Sequence, residues 1–518
     1  MKKILSVSLL FLWFISTYSQ PVTSAQIDKL VEQTMKAFDV PGIAVAVVRD
    51  GKVIHSKGYG VRSIVTGEKT NENTLFAIAS NTKAFTAAAL GILIDEGKLS
   101  WDSKVSDIIP EFRLYDAYVT EDFNIKDLLT HRSGMGLGAG DLMIWPDSAS
   151  FSKEDLIHNV RYLRQASSFR TKYDYDNLLY IVAGEVVARV SGTSWEEFVE
   201  SKIMVPLGMT VSGASIGRLK DRSNIIDAHV PVVGKLQVVP KHEGSLHNPA
   251  GGIMSSVADM SKWVIMQINN GKYGPDLERQ IFSEKVHDEM WTPQTIIPVR
   301  GKTTYNTHFA GYGLGWRLAD EKGYKVVGHT GSLQGVVTQV TIIPEMKLGI
   351  IVFTNQQSDD AYNAITNTIK DSYYGMSGFD RITEYKEQVM KSQKNAMALT
   401  EAVWKTIEEQ QKTNQGIIDL APFTGTYSDV WFGDVIISLK NGKLWFTAVR
   451  SPKLSGEMIY YKGNTFIVRW RDRTLDADAF AVFSLDREGI PSGIKMEAVS
   501  PLTDFSFDFQ DLEFHKKD

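Results

Sequence analysis

The stretch IASNTKAFTAAALGIL, residues 78–93, sets a serine and a lysine three residues apart at the front of an apolar run. Phe85, Ala88, Ala89, Ile92 and Leu93 recur at intervals of three and four, the period of a helix with a face toward a core. Ser80 stands where such a helix starts, and a serine oxygen there commonly accepts first-turn amides that lack intrahelical partners. The same geometry brings Ser80 and Lys83 onto one face, one turn apart. A hydroxyl becomes a nucleophile when a base takes its proton, and a lysine is a usable base when its neighbours depress its pKa. Alone, a Ser-x-x-Lys is more often only a well-capped helix, so the rest of the chain must decide.

Outward from this stretch the chain mixes helices and strands. Ser24 reads as the cap of a helix carrying Ile27, Leu30, Val31, Met35 and Phe38 on one face. IAVAVVRDGKVIHSKGYG (43–60) reads as two strands around an Asp50-Gly51 turn, and a matching pair follows at 338–344 and 349–355. An antiparallel sheet drawn from both ends of a domain, with helices from its middle, is an α+β arrangement. From 381 to 413 the sequence turns polar, strongly helix-forming and free of Gly and Pro, the mark of a boundary. Beyond it, short β-like runs at 435–439 and 444–447 flank Asn441-Gly442, with further turns at 462–464 and 487–489. These predict a small antiparallel β domain from about residue 418 to the end.

Composition narrows the function. Lys2 and Lys3 precede an almost wholly apolar run from Ile4 to Ile15, with small residues Thr17 and Ser19 after it. Residues 1–19 therefore read as a secretory signal cut before Gln20, and the mature protein is expected in the periplasm or outside the cell. That run is too short for a comfortable membrane span, and none of eighteen apolar residues follows. The chain has no cysteine, which excludes disulfides, a lipidated cysteine, a thiol nucleophile and thiolate metal sites. Its formal charge of −5 becomes −7 once Lys2 and Lys3 are removed, which gives no support to a nucleic-acid partner.

Two further motifs give Ser80 company. Tyr175-Asp176-Asn177 lies just ahead of an apolar helix, where a phenol and an amide can face one cleft. His329-Thr330-Gly331 follows apolar residues in VVGHTGSLQG (326–335), a small-residue strand able to lie along a bound substrate. The order Ser-x-x-Lys, Tyr-x-Asn, (Lys or His)-Thr-Gly resembles that of the serine β-lactamase and penicillin-binding protein superfamily. The tyrosine makes it similar to class C β-lactamases and D-alanyl-D-alanine carboxypeptidases. LLTHRSGMG (128–136), PLGM (206–209), AGGIMSSVADMSKW (250–263), GYGLGW (311–316) and GIIVFTN (349–355) also look like that family, and the resemblance covers about 30–375. FTGTYSD, GDVIISLKNGKLWF and DFSFDFQDLEF (504–514) resemble a lipocalin-like domain often fused to such enzymes.

The resemblance implies an antiparallel sheet flanked by helices with an all-helical subdomain, in a hydrolase domain over 20–380. A helical linker (381–417) and a small antiparallel β-barrel (418–518) follow. It further implies Ser80 as the acylated nucleophile, Lys83 as its proton partner and Tyr175 as the general base that shuttles the proton to the leaving group. Asn177 would hold the substrate amide, and the oxyanion hole would use backbone N–H groups of Ser80 and Ser332, beside His329, Thr330 and Gly331. The expected substrates are small-molecule or peptide acyl compounds, with β-lactams as covalent ligands and no cofactor. A class C-like β-lactamase and a slow-turnover penicillin-binding sensor are the alternatives. His329 departs from the lysine of efficient class C β-lactamases, which puts strong carboxylate selection in doubt.

Other patterns have plainer readings. Ser215 in GASIG (213–217) is followed by RLKDRSN rather than an apolar helix and reads as a loop residue. His131 reads as a structural hydrogen-bonder. His242 and His247 flank Glu243 at the wrong spacing for a zinc helix, so no metal centre is expected. Trp431, Phe432, Trp445 and Phe446 read as β-core.

Overall fold

A computed structural model describes residues 21–412 and 419–517. The expected export signal, its cut before Gln20 and the end of the 381–417 linker lie outside the described residues. Helix α1 (Ser24–Phe38) is capped by Thr23, one residue earlier than the sequence suggests, in a reciprocal capping box with Gln26. Ser24 instead bonds His55 Nδ1 at 2.8 Å.

The large sheet is built from β1 (Gly42–Arg49), β2 (Lys52–Gly60), β3 (Thr295–Ile297), β4 (Ala310–Tyr312), β5 (Arg317–Glu321), β6 (Tyr324–Leu333), β7 (Val336–Ile343) and β8 (Leu348–Thr354). Their antiparallel order is β2-β1-β8-β7-β6-β5-β4-β3, so the first and last strands of the domain meet at β1–β8. Asp50 and Gly51 turn β1 into β2 with φ of 50° and 75°, as a tight two-residue hairpin requires. β1 is apolar on both faces because both are covered. Ile43, Val45 and Val47 join a core with Ile27 and Val31 of α1, whereas Ala44, Ala46 and Val48 face the main core.

That main core is crossed by α2 (Thr82–Asp95), in which residues 82–93 are all buried. The three-and-four spacing suggested one core-facing side, but small residues such as Ala87, Ala88 and Gly91 let neighbours approach from every side. Helix α3 (Leu178–Ser191) packs on α2, and α4 (Val257–Ile268) stacks Trp263 on Phe85 at 3.9 Å between centroids. Helix α5 (Asp359–Tyr373) covers the other sheet face with α1.

Helix α6 (Arg381–Lys412) leaves this domain anchored by Arg381, whose Nε donates to Asp371 Oδ2 at 2.7 Å. Further along, Ile407 packs on Ile467 and Val499 of a closed eight-stranded antiparallel barrel spanning 425–516. The barrel is filled by its own side chains, including Tyr427, Phe446, Phe466, Trp470 and Phe483. Trp431 and Phe432 are buried as expected, but Trp445 points outward, its indole donating to Ser455 Oγ at 2.8 Å. The barrel sits directly on the domain that carries the large sheet. Phe432 meets Phe151 at 6.0 Å, Asn159 Nδ2 donates to the Trp431 carbonyl at 2.8 Å, and one continuous apolar core joins the two. Among the described residues no helix is long and apolar enough to cross a membrane.

Candidate active site

Ser80 does not cap α2. It sits in a 3-10 turn (Ala79–Asn81) immediately before the helix, and its oxygen accepts no capping amide. The hydroxyl is half-buried and therefore reachable. Ala79, just before it, has φ of 49°, a left-handed conformation that costs a non-glycine residue about 1 kcal/mol or more. The turn is held in place by its surroundings. Thr338 Oγ1 donates to the Ile78 carbonyl at 2.8 Å and accepts from Asn81 Nδ2 at 2.9 Å. Gly331 of β6 lies so close that a Cβ there would stand 2.2 Å from the Ile78 oxygen.

Lys83 is wholly buried beneath the serine. Its Nζ donates to Ser80 Oγ at 3.2 Å, Asn177 Oδ1 at 2.7 Å and the Ala250 carbonyl at 2.9 Å. The rings of Tyr175 and Tyr180 lie 4.9 and 5.2 Å from the nitrogen. Burial pushes its pKa down from 10.5 to about 7, against the opposing pull of Asp141 and Asp176. The lysine is thus poised between ammonium and amine at neutral pH. A free amine beside a serine hydroxyl can take its proton.

Tyr175 is buried above Lys83, and its hydroxyl faces Ser80 without bonding geometry to any described side chain. Burial raises its pKa well above 10, so the resting side chain is a neutral phenol able to donate. His131 backs it at 4.2 Å between ring centroids and accepts the Asp176 N–H through Nδ1 at 3.1 Å, the structural role its sequence suggests. Asn177 stands at the start of α3. Its amide is engaged on both sides, by Lys83 at Oδ1 and by Asp141 Oδ2 at 2.7 Å from Nδ2.

β6 passes the turn on the other side. Its pairing with β5 ends at Gly328, so residues 329–333 run on beyond that neighbour beside the Ser80 turn, bonded to β7. Thr330 is half-buried and Ser332 exposed along this stretch. His329 is buried among rings: Nδ1 donates to the Thr330 carbonyl at 2.6 Å, and Nε2 therefore accepts from the Tyr312 hydroxyl at 2.8 Å. Burial holds this imidazole well below its ordinary pKa, hence neutral. Both its nitrogens are committed.

Several residues at the site carried no sequence signal strong enough to single them out. Asp141 ends the glycine-rich run GMGLGAGD and touches the Tyr-x-Asn amide, and burial raises its pKa to about 8. Arg317 lies exposed on β5 beside Gly328, with its guanidinium 5.4 Å from the Tyr173 ring centroid. From the barrel, the Phe505 ring meets Tyr175 edge-on at 5.7 Å, and Ser506 Oγ donates to Asp141 Oδ2 at 2.8 Å. Ser215, by contrast, lies buried in a loop before a single 3-10 turn. His242 and His247 bond each other at 2.9 Å, beside a cleft also lined by Ile216, Met254 and Leu333.

Comparisons with known proteins agree with this architecture. The chain is 29% identical over 349 residues to Unguisins hydrolase ungD' of Aspergillus campestris, covering 64% of this chain and 62% of that protein. It is 25% identical to Unguisins hydrolase ungD of Aspergillus violaceofuscus over 90% of this chain and 86% of the relative. It is 26% identical to Protein flp of Staphylococcus aureus over 64% and 63%. Among solved structures, the octameric penicillin-binding protein homologue from Pyrococcus abyssi matches with a TM-score of 0.59 at 21% identity, over 95% of this chain and 99% of that one. A class C β-lactamase from Rhodobacter sphaeroides matches at 0.55 and 19%, over 67% and 99%. A family model described as a domain of unknown function (DUF3471) covers the barrel at 416–516. The sheet, the Ser80 turn and β6 all fall within residues 27–373, the part matched by the Beta-lactamase family model, and the chain belongs to that family.

Proposed function

We propose that the protein is an exported serine hydrolase that cleaves amide or ester bonds through an acyl-enzyme on Ser80. The observation that carries this reading is the buried Lys83 Nζ, 3.2 Å from Ser80 Oγ and held near neutrality at physiological pH. In this reading Lys83, as free amine, takes the Ser80 proton while Oγ attacks the substrate carbonyl. The backbone N–H groups of Ser80 and Ser332 receive the developing oxyanion. Tyr175 donates its phenolic proton to the leaving group and recovers one from Lys83. Water then attacks the acyl carbonyl and gives a proton to Lys83, the acyl–Oγ bond breaks, and Ser80 Oγ takes the proton back as the acid leaves. Family membership and the hydrolase names of the Aspergillus relatives support the reaction class.

The neutral, committed His329 favours peptides containing D-amino acids or small esters over substrates chosen mainly for a carboxylate. Arg317 favours a second reading. An exposed guanidinium one strand from His329, without an ion pair among the described residues, is a partner for the carboxylate of a β-lactam or a peptide terminus. The N-terminal basic-then-apolar pattern supports action in the periplasm or outside the cell. Intact-protein mass spectrometry after exposure to a fluorophosphonate and a fluorescent penicillin tests the proposal. Wild type should gain one adduct and Ser80→Ala none. An adduct that persists in Ser80→Ala and is lost in Ser215→Ala would overturn it.

A further inference from the structure

The loop 504–508 of the barrel reaches the catalytic groups at three points. Asp508 accepts the N–H groups of Gly140 (2.6 Å, Oδ2) and Leu142 (2.9 Å, Oδ1), gripping the turn that bears Asp141. A Cβ on Gly138 would stand 2.6 Å from the Phe505 carbonyl oxygen, so the turn and the loop are in direct backbone contact. The Gly138 N–H in turn donates to the Tyr175 carbonyl at 2.8 Å. Ser506 completes the contact by donating to Asp141 Oδ2, the same oxygen that accepts Asn177 Nδ2. Asp141 Oδ1 is buried with no partner among the described residues. A buried carboxylate with one oxygen unpartnered is costly, which favours the protonated acid and leaves Oδ2 to accept from Asn177 and Ser506.

We propose that Asp141 is a positioning residue of the active site and that the barrel, through Ser506, holds it, so that Ser506, Asp141, Asn177 and Lys83 form one hydrogen-bonded chain ending at the nucleophile. The inference rests on the reading of Ser80 and Lys83 given above. Asn177 can present its carbonyl to Lys83 only if its NH2 group faces an acceptor, and Asp141 is that acceptor. The chain fixes the amide orientation and, with it, the direction of the lysine.

The chain also makes an electrostatic prediction. The groups facing Lys83 are Asp141, Asp176, Tyr175, Tyr180 and the imidazoles of His131, His247 and His329. Those facing Asp141 are Lys83, Asp176 and Asp508. Of the two donors on Asp141 Oδ2, each favours its carboxylate form. With its pKa raised to about 8, Asp141 is largely the neutral acid where Lys83 titrates near 7, so removing the Ser506 hydroxyl should loosen the hold on the Asn177 amide without moving the Lys83 titration.

The test is kcat, KM and the pH dependence of kcat/KM for a p-nitrophenyl ester in full-length wild type, Ser506→Ala, Ser506→Thr and Asp141→Ala. Ser506→Ala should lower kcat about fivefold with KM and the acid limb unmoved, Ser506→Thr should restore kcat, and Asp141→Ala should lower kcat further. An unchanged kcat in either Ser506→Ala or Asp141→Ala overturns the proposal, as does a loss in Ser506→Ala that Ser506→Thr does not restore. If Ser506→Ala fails to fold, the kcat of Asp141→Ala at unchanged KM decides alone. Failure of wild type to label at Ser80 would instead sink the underlying reading of the site.

Discussion

Lys83 should impose its own titration on the reaction. Its displacement from 10.5 to about 7 corresponds to about 5 kcal/mol between charged and neutral forms, set by burial. If the amine form takes the Ser80 proton, kcat/KM should fall on the acid side of a midpoint near pH 7. The fall is tenfold per pH unit, which leaves about one per cent of the plateau at pH 5. The same displacement has a stability consequence of definite sign. The unfolded chain keeps this proton up to about pH 10.5, whereas the folded chain gives it up near 7, so the burial penalty is full below pH 7 and vanishes as pH rises to 10.5. Asp141 and Asp176 act oppositely. Their folded pKa values, raised from 3.8 to about 8 and 7, make stability fall as pH rises through that window. Lys83→Met removes the lysine penalty and leaves Ser80, Asn177 and the Ala250 carbonyl without a donor, a loss of about 1–3 kcal/mol per stranded group at most. The variant should be inactive, and its Tm relative to wild type should decline steadily from pH 7 to pH 10. The assays are ester hydrolysis from pH 4.5 to 9.5 and thermal unfolding of both proteins from pH 5 to 10. An acid limb centred below pH 5, or a Tm difference that does not change with pH, would refute the argument that Lys83 is the poised base.

Gly331→Ala should cut activity at least 100-fold, because the new Cβ meets backbone at the Ile78 oxygen and must push the Ser80 turn aside; acyl-enzyme formation by stopped flow reads it. Arg317→Ala should raise KM for a carboxylate-bearing cephalosporin about tenfold and leave a neutral ester unaffected; equal effects on both would remove Arg317 from substrate recognition. Tyr175→Phe should lower kcat about 100-fold with folding intact, and its loss should not add to that of Lys83→Met, since the two share one proton path. Additive losses in the double variant would separate them.

The strands were legible because their turns announce themselves. Asp50-Gly51 and Asn441-Gly442 adopt positive φ at both residues, which few other dipeptides tolerate, and both hairpins form as the sequence suggests. The neighbourhood of Ser80 was legible through three short motifs. What the motifs could not convey is direction. Nothing local distinguishes a Ser80 that caps a helix from one in the turn before it, and the strained Ala79 is set by contacts from β6 and β7 far along the chain. His329 reads as a substrate contact by position, yet the ring turns toward Tyr312, a partner seventeen residues earlier. Asp141 and Ser506 are 365 residues apart, and no periodicity links an acid after a glycine run with a serine in a barrel loop. Trp445 misled for a simpler reason. In an alternating strand, neighbouring aromatics must face opposite ways, and Phe446 took the inward place.

The unbroken apolar core that runs from the β-lactamase-family domain into the barrel bears on how this protein tolerates change. Two bodies joined by a flexible tether can drift apart in sequence and be exchanged or trimmed. Here Phe151 and Phe432 share one dry interior, and cutting between them would expose a greasy wound on each half. Heat should therefore melt the chain in a single step. A substitution deep in the barrel, remote from any substrate, would be felt first as lost catalyst rather than as altered chemistry, because the fraction folded falls for the whole molecule at once.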